Sequence, residues 1–290
     1  MSTVRLVQLR PPAVKGDRSV STSVAVPPTT SSGTKPGRSI VTPVARALSI
    51  LAAFAPRNTY LGNRDLVTRS GLPASTVSRM ARSLAALGYL QYAPDQRKYR
   101  LAARVLGLGY AALAPSDAQR MVRAPMQWFA DQYDVDVTLW ARDGLSMIVL
   151  ESCASALASN ALPPHVGARV CLGSSPIGWA LLAALPAADR HDLLDEVQRR
   201  MHRERWPPPR SSCEAIAHAQ ERGYCTALGE GSGELEFVAT PLSIAGHPPL
   251  VLACSGSTSQ LTRARVDRNL GPRLVAMAMD LRQESFSLPA

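Results

Sequence analysis

Apolar residues recur at helical spacing in two short stretches between residues 42 and 70. The first stretch predicts a helix that is capped by Thr42, starts at Pro43 and ends near Phe54. The second predicts a shorter helix that is capped by Asn63 and closed by Gly71, because glycine tolerates the left-handed backbone of a helix C-terminus. These two elements indicate that the first regular structure in the chain is helical.

A longer helix is predicted over residues 74–87, and its two faces differ in character. The apolar stripe on one face is formed by Val77, Met80, Ala81, Leu84 and Leu87. Alternating residues then predict strands at 89–92 and 97–101 around a turn at 93–96, followed by a helix at 101–114. Three helices followed by a hairpin are typical of a winged helix-turn-helix.

The remaining pattern alternates strands with helices. Strands are predicted at 135–141, 145–151, 156–162, 168–172, 224–228, 235–243 and 250–255, with Asp143-Gly144 as the first hairpin turn. Helices are predicted at 119–133, 176–185, 188–201, 213–222 and 262–283, the last interrupted near Gly271-Pro272. Hairpin-paired strands flanked by helices indicate an α+β domain with a mainly antiparallel sheet.

Composition suggests where the domains begin and end. Residues 1–38 are rich in Ser, Thr and Pro and predict a disordered basic arm. We expect a DNA-binding domain at 39–101, a linker helix at 102–117, a second domain at 118–284 and a tail at 285–290.

Positive charge is concentrated in the first part of the chain. Residues 1–115 carry 16 basic and three acidic side chains, a net charge of +13, whereas the rest of the chain carries −3. A basic module joined to a near-neutral one is typical of a nucleic-acid-binding protein with a second function.

The predicted helix at 74–87 has the surface needed to enter the DNA major groove. Ser75, Arg79 and Arg82 fall on one line opposite the apolar stripe, and arginine reaches guanine edges or phosphates. The basic hairpin would contact the adjacent minor groove or backbone. The candidate DNA-binding residues are Arg46, Arg64, Ser75, Thr76, Ser78, Arg79, Arg82, Ser83, Arg97, Lys98 and Arg100.

Signals for an enzyme, a metal or a cofactor are lacking in the sequence. The five cysteines form no C-x-x-C pair, and we expect them to be buried, reduced thiols. The glycine-rich stretch at 229–233 is not a phosphate loop, and no G-x-S-x-G elbow occurs. Asp131, Asp134 and Asp136 lie close together without an identifiable catalytic partner. With no membrane span or signal segment in the pattern, we expect a cytoplasmic protein without cofactors.

Several blocks of residues along the chain form a combination that is specific although each block is modest. The N-terminal blocks are Arg46-Ala47-Leu48-Ser49-Ile50-Leu51, Gly71-Leu72-Pro73-Ala74-Ser75-Thr76-Val77-Ser78-Arg79-Met80, Leu84-Ala85-Ala86-Leu87-Gly88-Tyr89-Leu90 and Tyr99-Arg100-Leu101. The C-terminal blocks are Val166-Gly167-Ala168-Arg169, Gly178-Trp179-Ala180-Leu181-Leu182-Ala183, Arg222-Gly223-Tyr224, Val238-Ala239-Thr240-Pro241-Leu242 and Ser255-Gly256 with Leu261-Thr262.

Together these blocks resemble the IclR family of bacterial transcriptional regulators. The resemblance implies a winged helix, a linker helix and a GAF-like (profilin-like) effector-binding domain. Such proteins bind double-stranded operator DNA as homodimers or as dimers of dimers, and a small-molecule effector tunes their affinity. Carried over by position, the effector-binding residues would be Leu162, Val170, Ser174, Ser175, Pro176, Ile177, Ala227, Leu235, Phe237, Ala253 and Ser255.

This chain departs from the family pattern in that lining. Ala227 stands where the family usually has an acidic residue, and the basic residue usual near Ser174 is missing. Ser174, Ser175 and the amides that start the following helix remain as candidate anion donors. The more apolar lining predicts an apolar or aromatic effector, although such residues could instead fill a core. The alternative is a constitutive DNA-binding regulator whose second domain only forms oligomers.

Overall fold

The computed structural model describes residues 41–54, 59–113, 117–155, 164–203, 212–226, 228 and 235–287. The predicted arm at 1–38, the predicted strand at 156–162 and the predicted effector residues Leu162 and Ala227 lie outside the described residues.

Three helices and a hairpin form the N-terminal module, as the sequence predicts. They are α1 (Thr42–Ala52), α2 (Asn63–Ser70), α3 (Ala74–Ala86), β1 (Leu90–Ala93) and β2 (Lys98–Leu101). Their apolar faces meet in one core around Ile50, Leu66 and Val77, which are all fully buried. A backbone bridge between Leu61 and Tyr99 ties the hairpin to the segment before α2. The winged helix-turn-helix prediction is confirmed.

Details of the helix ends differ from the prediction. Val41 is the N-cap of α1, and Thr42 is already helical. Gly62 rather than Asn63 is the N-cap of α2, because the Asn63 amide is turned towards α3 and donates to Ser78 Oγ at 3.0 Å. Leu87 was placed on the buried stripe but is exposed, since α3 ends at Ala86.

The C-terminal domain is built around a six-stranded antiparallel sheet. Its strands are β3 (Asp136–Asp143), β4 (Ser146–Cys153), β5 (Arg169–Cys171), β6 (Cys225–Thr226), β7 (Leu235–Leu242) and β8 (Leu250–Ser257). The strand order is β5-β4-β3-β8-β7-β6, and every neighbouring pair is antiparallel. This topology confirms the α+β prediction.

Helices cover both faces of the sheet. The helices after the hairpin are α4 (Ala103–Leu113), α5 (Asp117–Tyr133), α6 (Pro176–Ala184), α7 (Ala187–Arg203), α8 (Ser212–Arg222), α9 (Arg263–Arg265) and α10 (Gly271–Ser287). Val137 and Leu139 belong to the core that includes residues of α5 and α10. Trp140 belongs to a second core with residues of α6 and α8. Alternate residues of β3 therefore enter different cores, as the two-residue period of a strand requires.

The last helix contains the predicted interruption. Val266–Leu270 widens into a π-helical turn immediately before Gly271-Pro272. Proline lacks a backbone N–H and clashes with the preceding turn, which explains why the regular helical pattern is broken there. The helix then continues to Ser287, past the predicted domain end at residue 284.

The cysteines lie in different environments. Cys153, Cys225 and Cys254 are buried and Cys171 is half-buried, but Cys213 is exposed, so the expectation of five buried thiols is wrong for that residue. Burial raises the pKa of the Cys225 and Cys254 thiols to about 12. Within the described ranges, no helix is long and apolar enough to cross a bilayer. In the same ranges, no cluster of three or more His, Cys, Asp or Glu could hold a metal ion.

Gly178 allows α6 to pack against the turn that precedes it. A Cβ atom at this position would lie 1.9 Å from the Leu172 carbonyl oxygen, a distance that no side-chain movement relieves. The turn is also held by the Trp179 indole, whose Nε1 donates to the Gly173 carbonyl at 2.9 Å. The position therefore requires glycine.

We predict that Gly178→Ala lowers the free energy of unfolding of the C-terminal domain by about 3 kcal/mol, because backbone must move to admit the methyl group. Urea unfolding followed by tryptophan fluorescence measures this change. Ala183→Gly on the same helix is the control, and it should cost only about 1 kcal/mol through helix propensity. An unchanged unfolding midpoint for Gly178→Ala would contradict the close approach.

Candidate nucleic-acid interface and effector-binding face

The two sides of α3 are sharply distinguished by burial. Val77, Ala81 and Leu84 are buried in the N-terminal core. Arg79 and Arg82 are exposed on the opposite side. Within the described chain neither arginine forms an ion pair, so both guanidinium groups are available to an external anion. This arrangement is that of a helix held by its apolar side and offered to a groove by the other.

The remaining predicted residues of α3 flank this exposed line. Ser75 and Ser83 are exposed, whereas Thr76 and Ser78 are half-buried. Ser78 accepts a hydrogen bond from Asn63, and its carbonyl accepts from Arg82 Nε at 3.2 Å. Ser78 therefore fixes α2 and Arg82 in place.

The hairpin presents its own basic residues. Arg97 is exposed at the turn, with the unusual φ of +50°. Arg100 donates from Nε and a terminal nitrogen to Gln91 Oε1, at 2.9 and 2.6 Å, and its guanidinium lies 5.9 Å from the centre of the Tyr60 ring. These contacts hold Arg100 across the hairpin, while Lys98 is half-buried.

Two predicted arginines lie outside α3 and the hairpin. Arg64 is exposed in the first turn of α2, and Arg46 is half-buried on α1. The described part of this module contains only the acids Asp65 and Asp95, and the Asp65 carboxylate accepts from the Gly62 amide at 2.9 Å. The surface around α3 is therefore strongly positive.

Arg104 is a residue of this region whose role the sequence did not reveal. It lies in the first turn of α4, and its guanidinium donates to the Leu87 carbonyl at 2.7 Å while lying 5.4 Å from the centre of the Tyr89 ring. The end of α3 is therefore fastened to the start of α4. Only the tertiary structure brings these residues together.

The predicted effector residues are spread over one face of the sheet and the α6 side. Ala253 and Ser255 are fully buried on β8, Leu235 and Phe237 are half-buried on the neighbouring β7, and Val170 is half-buried on the edge strand β5. Pro176 and Ile177 are buried in the first turn of α6. The described members thus lie on the sheet face that is covered by α6 and α8.

The proposed anion donors at the start of α6 are largely occupied. The Ser175 hydroxyl donates to the Cys171 carbonyl at 2.8 Å and accepts from the Gly178 amide at 3.1 Å. Pro176 has no amide hydrogen, and Ser174 is exposed. The end of this helix is consequently capped by its own protein groups, which leaves little for an anion.

Two polar residues on this face have buried side-chain oxygens without a hydrogen-bond partner in the part of the chain that the structure describes. Both carboxylate oxygens of Asp136 and the Ser255 hydroxyl lack a hydrogen bond of normal geometry. Burial raises the pKa of the Asp136 carboxyl above its ordinary value, the nearby Ser155 amide opposes that increase and the Asp134 carboxylate adds to it. The sequence drew attention to Asp136 but gave no role for it.

Known protein families match both parts of the chain. The IclR helix-turn-helix domain matches residues 43–94. The C-terminal domain of bacterial IclR transcriptional regulators matches residues 110–283.

Curated relatives match almost the same span. The chain is 31% identical over 251 residues to the HTH-type transcriptional regulator TsaQ1/TsaQ2 of Comamonas testosteroni, which covers 86% of this chain and 90% of the relative. It is 25% identical to the Pca regulon regulatory protein of Pseudomonas putida, with 85% and 84% covered.

Solved structures show the same fold. An IclR family regulator from Brucella abortus superposes with a TM-score of 0.73 at 33% identity, over 87% of this chain and 94% of the other. An IclR homologue from Microbacterium hydrocarbonoxydans, solved with 4-hydroxybenzoate, gives a TM-score of 0.63 at 22% identity, over 85% of this chain and all of the other. Since family domains, relatives and structures agree over most of its length, this chain belongs to the IclR family of bacterial transcriptional regulators.

Proposed function

We propose that this regulator binds operator DNA as a homodimer, or as a dimer of dimers, and that an apolar or aromatic effector in its C-terminal domain changes its operator affinity. Such a regulator acts where bacterial DNA lies, in the cytoplasm. The observation that carries the proposal is the exposed line of Ser75, Arg79 and Arg82 on a helix whose other side is buried.

The DNA-reading step follows from the geometry of α3. An α-helix fits the major groove, where arginine pairs with guanine edges and with phosphates. The exposed Arg97 at the hairpin turn adds a contact to the neighbouring backbone or minor groove, and α2 supports α3 through Asn63.

Dimer formation is supported by the surface of α4. Leu106 is 75% exposed and Leu108 is 57% exposed, and no part of the described chain covers either side chain. The two side chains point about 200° apart on the helix, so a matching copy that packs along the Leu106 side would bury Leu106. A dimer would then place two α3 helices in successive major grooves, about 34 Å apart or a multiple of that distance.

The C-terminal domain supports an effector rather than a purely oligomerising role. Its sheet face combines apolar residues with the unpartnered Asp136 and Ser255, and a fully packed structural core normally satisfies its polar groups. The Microbacterium homologue of the same fold was solved with the aromatic acid 4-hydroxybenzoate. An effector of this regulator acts through its different affinities for DNA-competent and DNA-incompetent states.

Genome-wide mapping of bound DNA tests the proposal and supplies the operator. A thermal-shift screen of small aromatic molecules then tests for an effector, because a ligand of the native state raises the melting temperature. Every hit is added to an operator-binding titration. A protein with specific operators but no hit among such molecules would be a constitutive regulator instead.

We predict that Arg79→Ala weakens operator binding by about 10- to 100-fold per half-site, through the loss of a base or phosphate contact. Fluorescence anisotropy with labelled operator measures the affinity. Arg142→Ala, which removes an exposed arginine from the C-terminal domain, is the charge-matched control and should bind like wild type. An unchanged operator affinity of the Arg79 variant would show that α3 does not read the operator.

Salt should weaken operator binding steeply, because basic side chains that neutralise phosphates release counterions. For about six phosphate contacts we expect a loss of about 1,000-fold in affinity between 50 and 200 mM salt. The same anisotropy titration at several salt concentrations gives the slope. A flat response would show that the basic surface does not contact the DNA backbone.

We predict that Leu106→Lys converts the dimer into monomers at micromolar concentration. Each copy loses about 2 kcal/mol of apolar burial and gains a charge in the interface. Sedimentation velocity measures the assembly state. Val166→Lys, in an exposed turn of the C-terminal domain, is the control and should remain dimeric. A dimeric Leu106 variant would place the interface elsewhere.

A further inference from the structure

Asp136, Ser255 and Phe237 form one row across three adjacent strands of the sheet, β3, β8 and β7. Asp136 on β3 stands opposite Ser255 on β8, and Ser255 stands opposite Phe237 on β7. Because side chains alternate along a strand, this row lies on the same face as Trp140 and Ala253, which belong to the core under α6 and α8.

The two polar members of the row are completely enclosed. Asp136 is 1% exposed and Ser255 is 0% exposed, and among the described residues their side-chain oxygens have no hydrogen-bond partner of normal geometry. The Ser155 amide lies close enough to influence the Asp136 carboxyl but does not form such a bond. Burying a polar group without a partner destabilises the folded state, and the cost is larger for a carboxylate.

Thr138, the neighbouring polar residue, shows how a hydroxyl with a structural role is hydrogen-bonded on this face. Thr138 lies on the same face, and its hydroxyl accepts from the Trp140 indole at 2.7 Å and donates to the Ala253 carbonyl at 3.3 Å. Both functions of that hydroxyl are used within the protein. Asp136 and Ser255 are the next residues on this face of β3 and β8. Unlike the Thr138 hydroxyl, their side-chain oxygens form no hydrogen bond of normal geometry within the described chain.

We propose that Asp136 and Ser255 form the specificity-determining polar end of the effector site and bind a hydroxyl group carried by an aromatic ring. The inference rests on the proposed effector function and specifies the chemistry of the ligand. The ring packs against Phe237 and Ala253, and its hydroxyl donates to the Asp136 carboxyl while exchanging a hydrogen bond with Ser255.

Charges near the row favour a neutral donor over an anion. Asp134 places a second carboxylate close to Asp136, and the Ser175 hydroxyl already gives its proton to the Cys171 carbonyl. Asp136 keeps an accepting oxygen in either protonation state. A ligand carboxylate at this position would meet acceptors, whereas a phenolic hydroxyl meets the partner it needs.

Three ring compounds of similar size test the assignment by isothermal titration calorimetry on the full chain. p-Cresol carries a hydroxyl, p-xylene carries a methyl group in its place, and p-toluate carries a carboxylate. A hydrogen bond to a charged or buried acceptor predicts that wild type binds p-cresol about 10-fold or more tightly than p-xylene. It should also bind p-cresol more tightly than p-toluate.

Substitutions then locate the preference. Asp136→Leu should reduce the p-cresol preference over p-xylene to about twofold or less, and Ser255→Ala should reduce it partly. Asp136→Asn keeps an accepting oxygen of the same shape and should retain part of the preference. Thr226→Val is the matched control, because it removes another buried unpartnered hydroxyl from a residue paired with Val238 of the other core. It should leave the preference unchanged.

A second measurement keeps the test decisive if a variant binds nothing. Without ligand, Asp136→Leu should melt at or above the wild-type temperature, since it removes an unsatisfied buried carboxyl. A large decrease in its melting temperature would show a structural role and overturn the assignment. Equal binding of p-cresol and p-xylene, tighter binding of p-toluate, or no binding of any probe by wild type would also overturn it. Operator binding by the same preparation decides the regulatory function separately.

Discussion

Both faces of the six-stranded sheet are covered, so its central strands bury most of the side chains that they carry. In β3 all residues from Asp136 to Trp140 are buried, and the apolar ones divide between two cores. Any polar group on such a strand needs an internal partner. Thr138 has two such partners, whereas within the described ranges Asp136 and Ser255 have none, and this difference is the basis of the proposed ligand site.

A second constraint is the contact between the winged helix-turn-helix and the helix that follows it. The linker helix α4 starts directly after the hairpin, and Arg104 in its first turn binds the carbonyl that ends α3. The Tyr89 ring supports the same guanidinium. The position of α3 therefore depends on α4 as well as on its own core. In the proposed dimer, in which a second copy covers the exposed Leu106 of α4, one helix would connect DNA reading with assembly.

Much of this architecture follows from local pattern in the sequence. The period of Val77, Ala81 and Leu84 is enough to assign the buried side of α3, because helical side chains three and four apart share a face. The exposed line of Arg79 and Arg82 follows from the same period. Family resemblance supplied the predicted effector residues, including Ser255, which the fold places on the sheet face under α6 and α8.

The features that the local sequence pattern did not predict depend on contacts between distant segments. Asn63 resembles a helix cap in sequence, but its amide bonds to Ser78 on another helix. Ser175 resembles an anion donor until its hydroxyl is seen to cap its own helix. The importance of Asp136 arises only from the register that places it beside Ser255, since neither residue is unusual within its own strand.

The buried cysteines also make the interior of the sheet chemically inert. The thiolate is the form of cysteine that attacks peroxides and alkylating agents, and a thiol with a pKa of about 12 is ionised in only about one molecule in 10⁵ at neutral pH. Cys225 and Cys254 are thus shielded twice, by enclosure and by protonation. An oxidant would meet the exposed Cys213 of α8 long before it reached them, so oxidative stress would leave the strands beside the row untouched.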